Sequence, residues 1–441
     1  MSIFGYQYRS DHASACSQVT NVNRTGIIVK SNGSNFAFKT FLFLFHLIVF
    51  VGAASGRVGS PTNTKMKLHQ IASSTNDNKD TIRIVAYDNI RGYLNWLQEW
   101  FQMASKSQCS TKCLITDDKS ALPTADIVLF HAPTHGKGAV LGQENIPVKK
   151  RDRVVHAFVS MEQPKYTRFL ADRAYLMRSF DLLLTYSQEQ TYPGTNIPNL
   201  PLTYYPLNIM PASAILKPAK SLQEKDGYGT GVIAVVFMSN CKKAGADERT
   251  KYVQDLMEYL PVHSYGGCLK NRDEPQLPHD PMWPAVAQKR SRKVAILSHY
   301  RFYLAFENSA VEDYVSEKIF EGLLAGAVPV YRGAASIAKF MPGGDSFINA
   351  NGMTPKQLAE HLTLINLNTT MYNSYLAYKN RPVPENFDRI ALNSFSHPNV
   401  LCRLCEWANS KRHGRQLTDD ELQVSNRTYP GLHLIRWSGN V

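Results

Sequence analysis

The sequence predicts an α/β protein of two domains with a linker between them, and three observations carry that prediction. At 441 residues the chain exceeds one domain of common size. From Ile82 onward, short apolar runs of strand length alternate with stretches of helical period. A proline-containing stretch, Pro198 through Pro218, and the glycine-rich Asp226-Gly227-Tyr228-Gly229-Thr230-Gly231 separate two sets of such runs.

In chain order, residues 1–35 read as a polar tail. Residues 36–55, which include the run Thr40 through Ser55, are apolar enough to span a membrane although Lys39 and His46 interrupt them. A span needs roughly 17–25 residues, so this one is near the lower limit, with Lys39 able to snorkel from its end. Arg9, Arg24, Lys30 and Lys39 precede or open it, which favours a cytosolic N-terminus and a lumenal body. A cleaved signal peptide is the competing reading, from the small residues Gly52-Ala53-Ala54-Ser55, but the polar region ahead is long for a signal of roughly 15–30 residues. Residues 56–80, rich in Ser, Thr, Asn, Gly and Lys, read as a flexible stem.

The first α/β domain, residues 81–225, carries strands at Ile82–Tyr87, Ala125–Phe130, Val154–Val159 and Asp181–Tyr186, with a helix over Trp96–Ala104. The second, residues 226–408, opens on the strand Val232–Phe237. The glycines of GYGTG precede that strand, whereas a dinucleotide fingerprint needs them after a strand and opening a helix, so they read as plain linker. Residues 409–441 are a C-terminal tail. Two α/β domains place a ligand in the crevice at the carboxyl ends of their strands.

A formal net charge of +13 favours anionic partners: sugar nucleotides, acidic glycans, membrane surfaces or nucleic acid. The basic clusters Lys149–Arg153 and Lys289–Lys293 read as solvated loops. Neither is interleaved with aromatics as single-strand nucleic-acid platforms are, so no nucleic acid is expected among the partners.

Chemistry concentrates in Phe302 through Gly333, FYLAFENSAVEDYVSEKIFEGLLAGAVPVYRG. Tyr303–Phe306 and Val328–Tyr331 are strand-like, and between them Val315, Ile319 and Leu323 recur every fourth residue, which makes a βαβ unit. Its helix is expected to open with Tyr314, Ser316, Glu317 and Lys318 in the first turn, where unpaired N–H groups and the positive dipole end favour a phosphate. No Asp-x-Asp sequence, the usual handle for a divalent ion on a sugar nucleotide, occurs in the chain. The pairs Cys109/Cys113 and Cys402/Cys405 have spacings that zinc accepts, but each lacks a second pair nearby in sequence, and no metal site is expected.

FENS followed by DYVSEK resembles the signature of the α1,3/α1,4-fucosyltransferases, glycosyltransferase family 10. Ser160-Met161-Glu162, Ser239-Asn240-Cys241, Ser264-Tyr265-Gly266-Gly267-Cys268 and Cys402-Arg403-Leu404-Cys405 stand in the order in which that family carries similar pieces, so the resemblance runs from about Ile82 to Trp407. It implies GT-B architecture: two Rossmann-like domains facing across a crevice, the first receiving the acceptor and the second GDP-fucose. It also implies a single-pass type II enzyme of the Golgi membrane with GDP-fucose as donor, GlcNAc-containing glycoprotein glycans as acceptors, and no required cofactor, a divalent cation being at most stimulatory. SYGGC followed by Asn271-Arg272-Asp273, together with CRLC, is most similar to plant and invertebrate enzymes that add α1,3-fucose to the inner GlcNAc of N-glycans. Lewis-type α1,3 or α1,4 addition to an outer GlcNAc is the runner-up. A non-catalytic GDP-sugar or glycan-binding protein is the alternative from another class.

On this resemblance Glu162, at the carboxyl end of its strand, matches the family glutamate assigned as base. Arg249 and Lys318 are the cations for the departing GDP, by charge-assisted bonds that strengthen as charge accumulates. Lys242, Lys243 or Arg272 stand as substitutes for Arg249, because the loop from Ser239-Asn240 is longer than usual in the family. Glu317 matches the residue that holds the ribose, Tyr314 and Asn308 match residues lining the same pocket, and Glu307 is a contact to the sugar or its oxocarbenium-like transition state. Cys16 precedes the anchor, and the other six cysteines can form three bridges in an oxidising lumen. Cys241 and Cys268 flank one helix-and-strand segment and can bridge, while Cys402 and Cys405 resemble a family pair tied to other cysteines, for which Cys109 and Cys113 are available. Asn368 and Asn426 are lumenal glycosylation acceptors on this topology.

Overall fold

The computed structural model describes residues 81–88, 111–132, 135, 154–206, 211–278, 288–395 and 399–415. The expected tail, anchor and stem, the Trp96–Ala104 helix, the Lys149–Arg153 cluster, Cys16, Cys109 and Asn426 lie outside them. Among the described residues no helix is long and apolar enough to cross a membrane.

Two parallel sheets form the frame. The first comprises β1 (Ile82–Ala86), β2 (Cys113–Thr116), β3 (Ile127–His131), β4 (Val155–Ser160), β5 (Leu182–Thr185) and β6 (Asn199–Pro201), in the order β2-β1-β3-β4-β5-β6. The second comprises β7 (Ala234–Met238), β8 (Val262–Gly266), β9 (Phe302–Phe306), β10 (Val328–Arg332) and β11 (Ile348–Asn349), in the order β11-β10-β9-β7-β8. Strands such as IVLFH and FYLAF are buried along their whole length, as parallel strands covered on both faces must be. The helices are α1 (Arg173–Ser179), α2 (Ala246–Leu256), α3 (Gln288–Leu297), α4 (Glu317–Ala325), α5 (Pro355–Leu367), α6 (Thr369–Ser374), α7 (Glu385–Leu392) and α8 (Asn399–Arg412).

In the second sheet, Ile319, Phe320 and Leu323 of α4 pack with Tyr303, Ala305 and Tyr331 on one face. Val253 and Leu256 of α2 and Leu358 and Leu362 of α5 pack with Val236, Phe302 and Leu304 on the other. Sheets buried on both sides by helices are the α/β, GT-B-like arrangement.

Four local expectations change. Asn199–Pro201, inside the expected linker, are an edge strand; an edge tolerates Pro201 because no ladder donor is needed there. Later in the same stretch Tyr205 and Ile215 are fully buried in the α4 core, so much of the expected linker is part of the fold. The Lys289–Lys293 cluster lies on α3 and is no solvated loop: Arg290 Nε and Lys293 Nζ approach the buried Glu321 carboxylate at 3.4 and 2.6 Å. The last helix packs on the first sheet, with Val400, Leu401, Leu404 and Cys405 against Ile82, Leu129 and Val155, and runs past residue 408 to Arg412. Lastly, α4 begins at Glu317 with Ser316 as N-cap, leaving Tyr314 ahead of the first turn.

Candidate active site

The carboxyl ends of strands from both sheets supply the site. Glu162 follows β4; Asn240 and Arg249 follow β7; Glu307 and Asn308 follow β9; Arg332 ends β10; Asn351 follows β11. The order of the second sheet reverses between β7 and β9, so Arg249 and Glu307 stand on either side of a topological switch point, where open α/β sheets bind ligands.

Glu307 is the hub of the second-sheet side. Its carboxylate accepts from Ser316 N–H at 2.8 Å, from Ser316 Oγ at 2.8 Å to both oxygens, and from Lys318 Nζ at 3.1 Å. Lys318 also donates to Ser316 Oγ at 2.6 Å and lies 3.5 Å from Glu317 Oε1. Ser316 makes no side-chain cap, its hydroxyl being taken up by Glu307 and Lys318. Despite burial, Lys318, Lys293 and Arg290 hold the Glu317 carboxyl down to about 2. Burial opposes charge on Lys318, but Glu307 and Glu317 outweigh it and raise its affinity for the proton. Ser316 was expected in the first turn of this helix but not as a partner of Glu307, and the Arg290–Lys293–Glu321 group was not expected from sequence. A serine directly ahead of Glu-Lys was a visible N-cap signal for the first; the second joins separate helices and had none.

Glu162 has a different environment. It is partly buried and accepts from Tyr314 Oη at 3.3 Å, across the crevice. Burial raises its carboxyl above the usual range, Glu317 and Glu307 add to that, and the Tyr314 bond and Lys318 oppose it. Tyr314 packs edge-on to Tyr186 and Tyr204, which follow β5 and β6 of the first sheet. Next to it, Asp313 is buried with φ 59° and accepts from Gln188 N–H, after β5, at 2.9 Å. The loop between β9 and α4 is thereby tied to both sides.

Glu307 also lines a cleft of about 150 Å³ with Arg249, Asn308, Arg332 and Asn351. Arg249 is buried and donates to Asn240 O at 2.6 Å and Phe306 O at 3.3 Å, while burial lowers its hold on its proton. Among the described residues its Nε, like Asn308 Oδ1, has no hydrogen-bond partner. Gly245 has φ +86°, and a Cβ there would lie 2.4 Å from Asn308 O. A Cβ on Gly333 would meet Tyr331 Oη at 2.6 Å and Glu307 Cγ at 2.8 Å, so both glycines keep the cleft walls close. The substitutes considered for Arg249 are elsewhere: Lys242 and Lys243 are exposed and Arg272 does not line the cleft.

Two disulfides are complete in the described residues, Cys241–Cys268 and Cys113–Cys405, the latter tying α8 to β2; Cys402 is also disulfide-bonded. Asn368 is exposed and caps α6 by accepting from Met371 N–H at 3.0 Å. Among the described residues no group of three or more His, Cys, Asp or Glu is placed to hold a metal ion.

Residues 230–423 match the family described as glycosyltransferase family 10 (fucosyltransferase) C-term, and residues 88–191 match fucosyltransferase, N-terminal. The chain is 32% identical over 271 residues to Alpha-(1,3)-fucosyltransferase B of Drosophila melanogaster, an alignment covering 60% of this chain and 56% of that protein. It is 29% identical over 297 residues to GDP-fucose protein O-fucosyltransferase 3 of Xenopus tropicalis, covering 66% and 59%. The chain thus spans less than two thirds of the length of these relatives. A solved structure described as alpha1,3-fucosyltransferase with GDP-fucose aligns with TM-score 0.46 at 15% identity, covering 77% of this chain and 93% of that one. The two family matches take in Glu162 on one side and Arg249, Glu307 and Lys318 on the other, and the chain belongs to glycosyltransferase family 10, the fucosyltransferases.

Proposed function

We propose that the protein transfers L-fucose from GDP-β-L-fucose to an acceptor hydroxyl with inversion, giving an α-linkage. The observation that carries the reading is Glu162 held by the hydroxyl of Tyr314, two residues ahead of Ser316 in the loop that leads into the Glu307–Ser316–Lys318 network. In a single displacement the acceptor oxygen bonds to the anomeric carbon as the bond to the diphosphate breaks, and the electron pair leaves with GDP. Glu162 takes the acceptor proton; its raised carboxyl is a better proton acceptor than an ordinary glutamate. Lys318 and Arg249 steady the charge that grows on the diphosphate, and the ionised Glu317 holds the ribose beside Tyr314 and Asn308. Glu307 orients Lys318 and faces the sugar.

The acceptor we propose is a GlcNAc hydroxyl, α1,3 on the inner residue of an N-glycan, and the setting a type II enzyme of the Golgi membrane anchored by residues 36–55. A second reading, a hydroxyl of a protein, is favoured by the names of relatives such as the Xenopus protein. The test is incubation of the purified chain with GDP-fucose and each acceptor class, with GDP release and mass-spectrometric linkage analysis of product. Inner α1,3-fucose supports the first reading, fucose on Ser or Thr the second, and outer α1,3 or α1,4 addition a Lewis-type enzyme. Equal GDP release by wild type and Glu162→Gln would sink the catalytic reading.

A further inference from the structure

We infer that Arg332, which nothing in the family signature marks, is a second guanidinium for the donor's diphosphate, paired with Arg249 on one wall of the cleft. The inference rests on the donor reading above and extends it to a residue outside FENS and DYVSEK.

Arg332 ends β10, and its carbonyl accepts Glu307 N–H at 2.8 Å, which fixes its backbone beside the hub carboxylate. Its guanidinium lies 4.5 Å from the ring centre of Tyr252. Tyr252 is on α2 three residues after Arg249, and residues at that spacing share a helix face. The ring is itself held, since Tyr252 Oη donates to Met353 O at 2.9 Å and its edge meets Phe306. A rigid aromatic platform therefore brings the Arg332 side chain toward the Arg249 face of α2, and both residues line the cleft.

Two guanidiniums on one wall repel unless an anion lies between them. Among the described residues no carboxylate pairs with Arg332, and the buried Nε of Arg249 is without an acceptor. The one buried carboxylate in the cleft, Glu307, is already engaged by Ser316 and Lys318. Glu248 lines the mouth but is exposed, where water screens it. A volume of about 150 Å³ is below the roughly 300–1,000 Å³ that encloses a whole small ligand, so the cleft takes one part of the nucleotide sugar. The unmet donor and the two cations favour its charged part, bound bidentately as guanidiniums bind phosphate.

The experiment is calorimetric titration of the purified chain with GDP, GMP and guanosine, for wild type, Arg332→Gln and Tyr252→Leu, with thermal melts to certify folding. Arg332→Gln is expected to weaken GDP roughly ten- to a hundredfold, the worth of one charge-assisted hydrogen bond, and to leave guanosine unchanged. Tyr252→Leu is expected to reproduce a smaller part of that loss by removing the platform. Equal losses for GDP and guanosine would overturn the proposal in favour of a base contact, and unchanged GDP affinity in a folded Arg332→Gln protein would overturn it outright. A folded wild type that binds none of the three overturns the donor reading itself, a result distinct from either.

Discussion

Glu162 and Glu317 are chemically the same residue on two sides of one crevice, and the molecule treats them oppositely. Glu317 stands at the start of a helix among Lys318, Lys293 and Arg290, which together overcome burial and hold it ionised, down to about 2. Glu162 has Lys318 as a single cation beside a tyrosine hydroxyl and two carboxylates, and burial prevails and pushes its proton affinity up. The difference teaches that the β9–α4 side holds its carboxylate charged while the opposite wall raises the proton affinity of its own, which is the division of labour the proposed reaction needs. Pairs of titratable groups pushed apart by their surroundings are the mark of acid–base assignment.

The sharpest way to break this comparison is Glu162→Gln, which keeps shape and removes the proposed base. The turnover rate should fall by about 10²–10⁴, with GDP affinity preserved. An unchanged rate would mean that the proton goes elsewhere. Next in size is Glu321→Ala, which leaves Lys293 and Arg290 without their buried partner; a loss of about 3–5 kcal/mol in chemical denaturation is expected, as for one broken buried pair. Lys318→Met should lower turnover by about 10²–10³ through lost charge on the leaving group, and should weaken GDP as well as GDP-fucose.

The smallest effect tests the sign of the Tyr314 bond. That bond lowers the Glu162 carboxyl, so Tyr314→Phe should raise it and move the acid limb of the kcat/KM profile to higher pH by roughly 0.4–1.1 units, one ordinary hydrogen bond. In the wild type, activity should rise with pH through the Glu162 titration, above the ordinary glutamate range, because the base works only when deprotonated. A limb that moves to lower pH in Tyr314→Phe would reverse the assigned role of the hydroxyl.

Much of the frame was legible from local pattern. Apolar runs such as Val154–Val159 and Tyr303–Phe306 mark buried strands, and β4 and β9 overlap them closely. β2 was missed because CLIT is only half-buried and shows no clean apolar run. β6 was missed because three residues ending in proline look like a linker. In the site, FENS and DYVSEK pointed to the residues of the β9–α4 turn, where chain-neighbour geometry does the assembling. Arg332 showed only as a charge after an apolar strand, and its meaning depends on Tyr252, which comes from another helix.

The sequence alone determined the alternation of strands and helices, the family signature and the residue types at the crevice, because periodicity and short motifs are local properties of the chain. Only the tertiary structure decided the state of each carboxylate. Tyr314 reaches Glu162 from 152 positions away, and Lys293 and Arg290 reach Glu317 from a separate helix. Proton affinity follows burial and nearby charge, and neither can be read before the chain has brought distant residues together.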